Sequence, residues 1–334
     1  MATRPTPAEL TSATPRGIDA DSKVAHILGT NTKLEKLPNG REVINSGVTM
    51  APSKRSGIVN VCKWATAACI ATCVLWFAGR RAGARMRECA RNVTKLWYFW
   101  PERFYARYDR ELSNQEKRAA AEGLESYHRP NVASDLDHDR IVSAHPSTTF
   151  YDYTAGFERM CSYLDGKLPA NYHLTFSVKE STPYEHIEHI LSRGGNVAVV
   201  VDTYYWGPTH RYGLLPESAV FFNASVPGMF INCPVIDGDR HDIRTPEFDG
   251  RGKMIGLRLK AQSNKVKALA RAKGFAKSFT LGGKEHSTRG EMLQRGSITI
   301  QLQSESPAPS CSSGCAGCPS ARRAPAAGLL PILN

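Results

Sequence analysis

At 334 residues, 41% of them hydrophobic, the chain has enough apolar material for at least one full core, which excludes a wholly unfolded polymer. A formal net charge of +12 disfavours basic partners and suits nucleic acid, anionic lipid or phosphorylated ligands. Nine cysteines without regular spacing exclude a small secreted disulfide scaffold.

In chain order, residues 1–57 are rich in Thr, Ser, Pro, Gly and Lys without an apolar period, and read as a disordered leader. Residues 58–79, "IVNVCKWATAACIATCVLWFAG", are long enough to cross a hydrocarbon core and read as a transmembrane helix; the alternative is a buried or interfacial amphipathic helix. Arg80, Arg81, Arg85, Arg87, Arg91 and Lys95 follow, so the positive-inside bias puts the C-terminal bulk in the cytosol. Residues 80–126 are then a basic, aromatic juxtamembrane connector. Its rings between Lys95 and Leu112 either lie along headgroups or RNA, or anchor the folded domain, and its last part reads as a solvated helix.

From 127 to 260 the pattern is that of an α/β domain with a Rossmann-like, mostly parallel sheet. Tyr172 to Val178 alternates as a strand, Thr182-Pro183-Tyr184-Glu185 reads as a capping box opening a helix to about Arg193, and Gly194-Gly195 ends it. Val197 to Val201 is apolar throughout, as a strand buried on both faces requires, which makes a parallel crossover unit. Ala219 to Asn223 and Met254 to Leu259 are further strands. Residues 261–303 form a basic helical and strand extension, and 304–334 read as a disordered tail.

Ligands of open parallel sheets bind outside the carboxyl ends of the strands, and two such ends carry acids here, Glu180 and Asp202, the latter followed by Tyr204, Tyr205 and Trp206. Rings that stack on purines, with His210, Arg211, Arg240 and Arg244 to hold phosphates, would make a nucleotide site. The alternative is that the tyrosines are core and cap residues and Asp202 caps a turn.

The succession "YHLTFSVKES", "NVAVVVDTYYWGP" and "PESAVFFNASVP" resembles the N-terminal region of nodavirus-type RNA replicases, whose domain is similar to the capping domain of the alphavirus supergroup. The resemblance covers roughly residues 58 to 235. It implies a membrane-anchored viral replication protein that methylates GTP with S-adenosylmethionine and carries the guanylate on a histidine, best matched by His128 with His145 as rival. It also implies Glu180, Asp202, Tyr204 and Tyr205 at the cofactor and nucleotide site. Its expected partners are viral RNA, a viral polymerase, further copies of the chain and a host intracellular membrane, the outer mitochondrial membrane first. The family's Asp has an Arg shortly after it, whereas no arginine lies between Glu180 and Arg193. That departure favours the competing expectation, a non-catalytic membrane tether and RNA-recruiting scaffold. Outside this pattern, His186 and His189 share a helix face without a third metal ligand, and Cys311, Cys315 and Cys318 lack a fourth.

Overall fold

The computed structural model describes residues 23–30, 34, 42–73, 76, 83–202, 215, 217–260, 264–274, 276–278, 280–281, 284–285 and 297–302. The elements are β1 (Leu28–Gly29), β2 (Val43–Val48), α1 (Ala67–Ala71), α2 (Ala84–Phe99), α3 (Pro101–Glu122), β3 (Glu125–Arg129), α4 (Asp139–Ala144) and β4 (Thr148–Thr154). Then come α5 (Phe157–Leu164), β5 (Tyr172–Ser177), α6 (Tyr184–Ser192), β6 (Val197–Asp202), β7 (Ser218–Asn223), β8 (Phe230–Asp237), α7 (Pro246–Asp249) and β9 (Met254–Arg258). The last are α8 (Asn264–Ala272), β10 (Lys277–Ser278), β11 (Thr280–Leu281), β12 (Lys284–Glu285) and β13 (Ser297–Leu302).

An 11-stranded sheet runs in the order β1-β2-β3-β4-β5-β6-β9-β8-β7-β13, with β10 on β6. From β2 across to β8 every pairing is parallel. Because successive parallel crossovers are right-handed, the helices between β2 and β6 all fall on one face. Strand alternation agrees: Phe150, Leu174, Phe176, Val199 and the helical Leu112, Met160 and Ile187 form one buried cluster. The return from β8 to β9 moves the opposite way and crosses the second face. There Ile243 of that segment joins Leu34, Tyr127, Val132 and Tyr151 in a separate cluster, with Phe248 packed on it. Gly238 permits the crossing, since a Cβ there would stand 2.5 Å from Ile255 Cγ2. β8 pairs with β7 through residues 230–234 and with β9 through 235–237, so the β13-β7-β8 part joins the parallel sheet through one strand.

The mixed α/β class and mostly parallel sheet agree with expectation, and the strands at Tyr172, Val197, Ser218 and Met254 begin within a residue of where the pattern puts them. The capping box does not form. Pro183 holds the N-cap position without a side-chain bond, and Thr182 Oγ1 accepts from the Lys179 amide instead, at 2.8 Å.

Two stretches correct the sequence reading. β2, placed in the expected leader, lies inside the sheet beside β3, buried along most of its length. Within 58–79, residues 58–66 are turn and loop bridged to Asp135 through Cys62, the five-residue α1 follows them, and residues 74–75 and 77–79 lie outside the described residues. Among the described residues no helix is long and apolar enough to cross a membrane. The aromatic run and the helix-prone connector from residue 113 onward join in the long α3, which buries Phe104, Tyr108, Leu112, Gln115 and Ala119 at helical spacing and leaves most of 113–122 at the surface. Pro101 opens α3, and Gly123, at φ 65°, closes it in the left-handed region. The anchoring reading of the aromatic run therefore holds for Phe104 and Tyr108.

Candidate functional site at the carboxyl edge of the sheet

His128 is the penultimate residue of β3, fully buried between the sheet and α3. Hydrogen bonds join its Nδ1 to Ser46 Oγ at 2.7 Å and its Nε2 to the Tyr108 hydroxyl at 2.6 Å. Burial pushes its pKa well below the ordinary imidazole value, so the ring is neutral, but both nitrogens are engaged. A nucleophile needs a free lone pair aimed at the phosphate, and in this structure both ring nitrogens face hydroxyls inside the core. The rival His145 is buried too, with Nδ1 3.0 Å from Glu116 and Nε2 3.3 Å from Asp109.

Glu180, beyond the end of β5, accepts from Thr66 Oγ1 at 2.7 Å and from the Ala68 amide at 3.1 Å. Its carboxylate thus serves the N-terminus of α1, the segment expected in the membrane, which accounts for the lone acid without an arginine companion. Asp202 ends β6, beside the β9 exit on one edge and paired in register with Ser278 of β10 on the other. Tyr204, Tyr205, Trp206, His210 and Arg211 lie outside the described residues.

The return of the chain across the second face reverses the winding of the sheet, and β6, β9 and β8 end where it turns. An ionic group that sequence reasoning missed lies there. Arg258 donates from Nη1 and Nη2 to both oxygens of Asp237, at 2.7 and 3.0 Å; Asp239 accepts from the Arg258 amide at 3.0 Å and is paired with Lys260. Nothing short of the pairing of β8 with β9 could have revealed it, since the acids and bases lie some twenty residues apart. Beside Asp202 the edge therefore presents fixed, paired charges, an arrangement suited to positioning polar groups of a ligand.

Of the arginines expected to hold phosphate, Arg244 is fully buried and paired with Asp249 at 2.8 Å, so it braces the crossing segment instead. A second buried polar set occupies the carboxyl halves of β3 and β4. Arg129 reaches Asp242 at 2.9 Å, while Asp152 accepts from Asn131 at 2.9 Å and from the Tyr172 hydroxyl at 2.8 Å. Burial raises the Asp152 carboxyl to about 7.

Among the described residues no group of three His, Cys, Asp or Glu side chains could hold a metal. His186 stacks on Phe157 with ring centroids 3.6 Å apart, and His189 meets the same ring edge-on. Those imidazoles pack α6 on α5. Cys311, Cys315 and Cys318 lie outside the described residues.

A family model described as Gene product 88 matches residues 24–278, well over half of the chain. It accompanies no match to a nodavirus-type replicase or capping domain. No curated protein matches, and no solved structure does.

Proposed function

The chain belongs to the gene product 88 family, and from that premise we propose that it is a viral RNA-replication protein whose α/β domain binds a nucleotide or an RNA 5′ end at the carboxyl edge of the sheet. The family assignment supports viral origin and goes no further. The observation that carries the binding reading is the reversal of winding at β6, β9 and β8, with Asp202 beside the braced Arg258 and Lys260. The net charge of +12 supports a polyanionic partner.

In this reading the protein takes part in a replication complex with viral RNA and polymerase at a host intracellular membrane, and does not carry guanylate on His128. The engaged ring favours the non-catalytic, RNA-recruiting alternative over the full methylation and transfer reaction. GTP, S-adenosylmethionine and a 5′-triphosphate RNA are the ligands to titrate into the purified full chain. Asp202→Ala should weaken binding of at least one by about tenfold with an unchanged melting temperature. Labelled GTP with S-adenosylmethionine should leave no adduct at His128. A histidine-linked guanylate that disappears in His128→Asn would overturn this reading in favour of the capping reaction.

A further inference from the structure

Four large hydrophobic side chains are strongly exposed among the described residues, and three of them, Val226 (42%), Met229 (38%) and Phe230 (57%), sit at the tip of the β7–β8 hairpin. The tip is rigid. The Met229 amide donates to the Val226 carbonyl at 3.2 Å around Pro227 and Gly228, with Gly228 at φ 79°, the geometry of a type II turn. Asn223 braces its base, its side-chain oxygen accepting from the Ser225 amide at 2.9 Å and its own backbone amide donating to the Met229 carbonyl at 3.0 Å. Phe222 lies against Phe230, ring centroids 5.5 Å apart, so the apolar surface continues down one side of the hairpin. On the opposite side Ala219, Phe221 and Cys233 belong to the core, which fixes which face looks outward.

Charge patterning adds an independent observation. Residues 218–236 contain no Asp, Glu, Lys, Arg or His, in a chain that is 22% charged and carries +12 overall. A soluble hairpin tip ordinarily carries charged or polar side chains that keep it in water. Here an uncharged, hydrogen-bonded hairpin turn ends in a phenylalanine, a methionine and a valine, all three exposed. It matches the interfacial zone of a bilayer, where apolar side chains enter the acyl boundary while a cationic body is drawn to anionic headgroups.

We propose that the β7–β8 hairpin tip is a membrane-inserting loop, with Val226, Met229 and Phe230 entering the interface of an anionic lipid surface. The proposal does not rest on the nucleotide-binding reading, and it supplies a membrane contact unrelated to residues 58–79. Burial of the three side chains in lipid removes apolar surface that the fold leaves in water, and the turn already holds them together at one end of the hairpin.

The test uses the full chain and vesicles of phosphatidylcholine with or without phosphatidylserine. The protein should float with the phosphatidylserine vesicles, and the double variant Met229→Ser with Phe230→Ser should lower the bound fraction by about tenfold at equal lipid. Because both positions are exposed, the double variant should melt as the parent does. Phe230→Trp guards against misfolding of the double variant: its added indole fluorescence should be quenched by brominated acyl chains. No flotation, unchanged flotation of the double variant, or an added indole signal that brominated lipid leaves unquenched would each overturn the proposal. So would a double variant that floats as before but no longer self-associates in light scattering, which would assign the tip to contact between copies of this chain.

Discussion

At the scale of single residues, the imidazoles beneath α3 are buried within the fold. His128 bridges β2 to α3 through Ser46 and Tyr108, so His128→Ala should cost about 3 kcal/mol in urea unfolding by opening a cavity and stranding two hydroxyls. His138, almost fully buried edge-on to Tyr108, has no hydrogen-bond partner at either ring nitrogen among the described residues, and burial lowers its pKa to about 4. Arg159 lowers it further, and Asp137 opposes that. A base whose folded pKa is depressed is neutral in the fold but protonated once unfolded. Its contribution is complete above the unfolded value near 6.5 and is lost as pH falls toward 4. Asp152 has the opposite sign, its raised pKa favouring the fold as pH falls below about 7, so the parent profile mixes the two. His138→Leu should isolate the imidazole: stability measured from pH 6.5 to 4.5 should fall less steeply than in the parent, by about 1.4 kcal/mol per pH unit. Parallel profiles would show that His138 is hydrated in solution.

At the scale of elements, the segment from Gly238 to Lys253 that covers the second face depends on buried ion pairs. Arg129, with its side chain 12% exposed, keeps Asp242 as its near partner at 2.9 Å and Asp152 at 3.8 Å. Asp242→Ala should therefore destabilise by about 3–5 kcal/mol, since it leaves a buried guanidinium underpaired. Chemical denaturation would check this, and a loss below about 1 kcal/mol would mean that water replaces the carboxylate. Gly238→Ala should loosen the same segment by forcing a Cβ against Ile255 and Leu257. On the other face Leu112→Ala, at the centre of the α3 stripe, should cost about 2–5 kcal/mol. The helical character of the second half of α3 was legible in the sequence. Which surface it meets was not, because β2 lies some sixty residues upstream.

At the scale of the whole molecule, the chain closes its sheet with segments from both sides of α1. β2 shields one edge of β3, and α3 packs over both strands, while Glu111 accepts from the Ile27 and Leu28 amides at 2.9 Å. A chain starting at residue 58 should lose cooperative melting and expose β3 as a sheet edge. A protein starting at residue 23 should melt as the full chain does. Equal melting of both shorter chains would show that β1 and β2 are dispensable.

The sequence by itself determined the α/β class, the β5-α6-β6 unit and the strands at Ser218 and Met254. In these stretches local periodicity and glycine punctuation match the burial, nearly continuous along β6 and alternating along β7. It also brought Asp202 to a strand end. It did not determine what His128 and Glu180 do, since an imidazole or a carboxylate reads the same whether it faces a ligand or another element. Residues 58–79 read as membrane-spanning because hydropathy counts apolar residues without knowing that a folded domain can bury them; in the described part of that stretch Val61 is fully buried in the core, and Cys62 bridges to Asp135. Only the tertiary structure decided these points. The bonds from Ser46 and Tyr108 to His128, and from Thr66 and Ala68 to Glu180, join positions about 20 to 110 residues apart, and no local pattern encodes a pairing at that range.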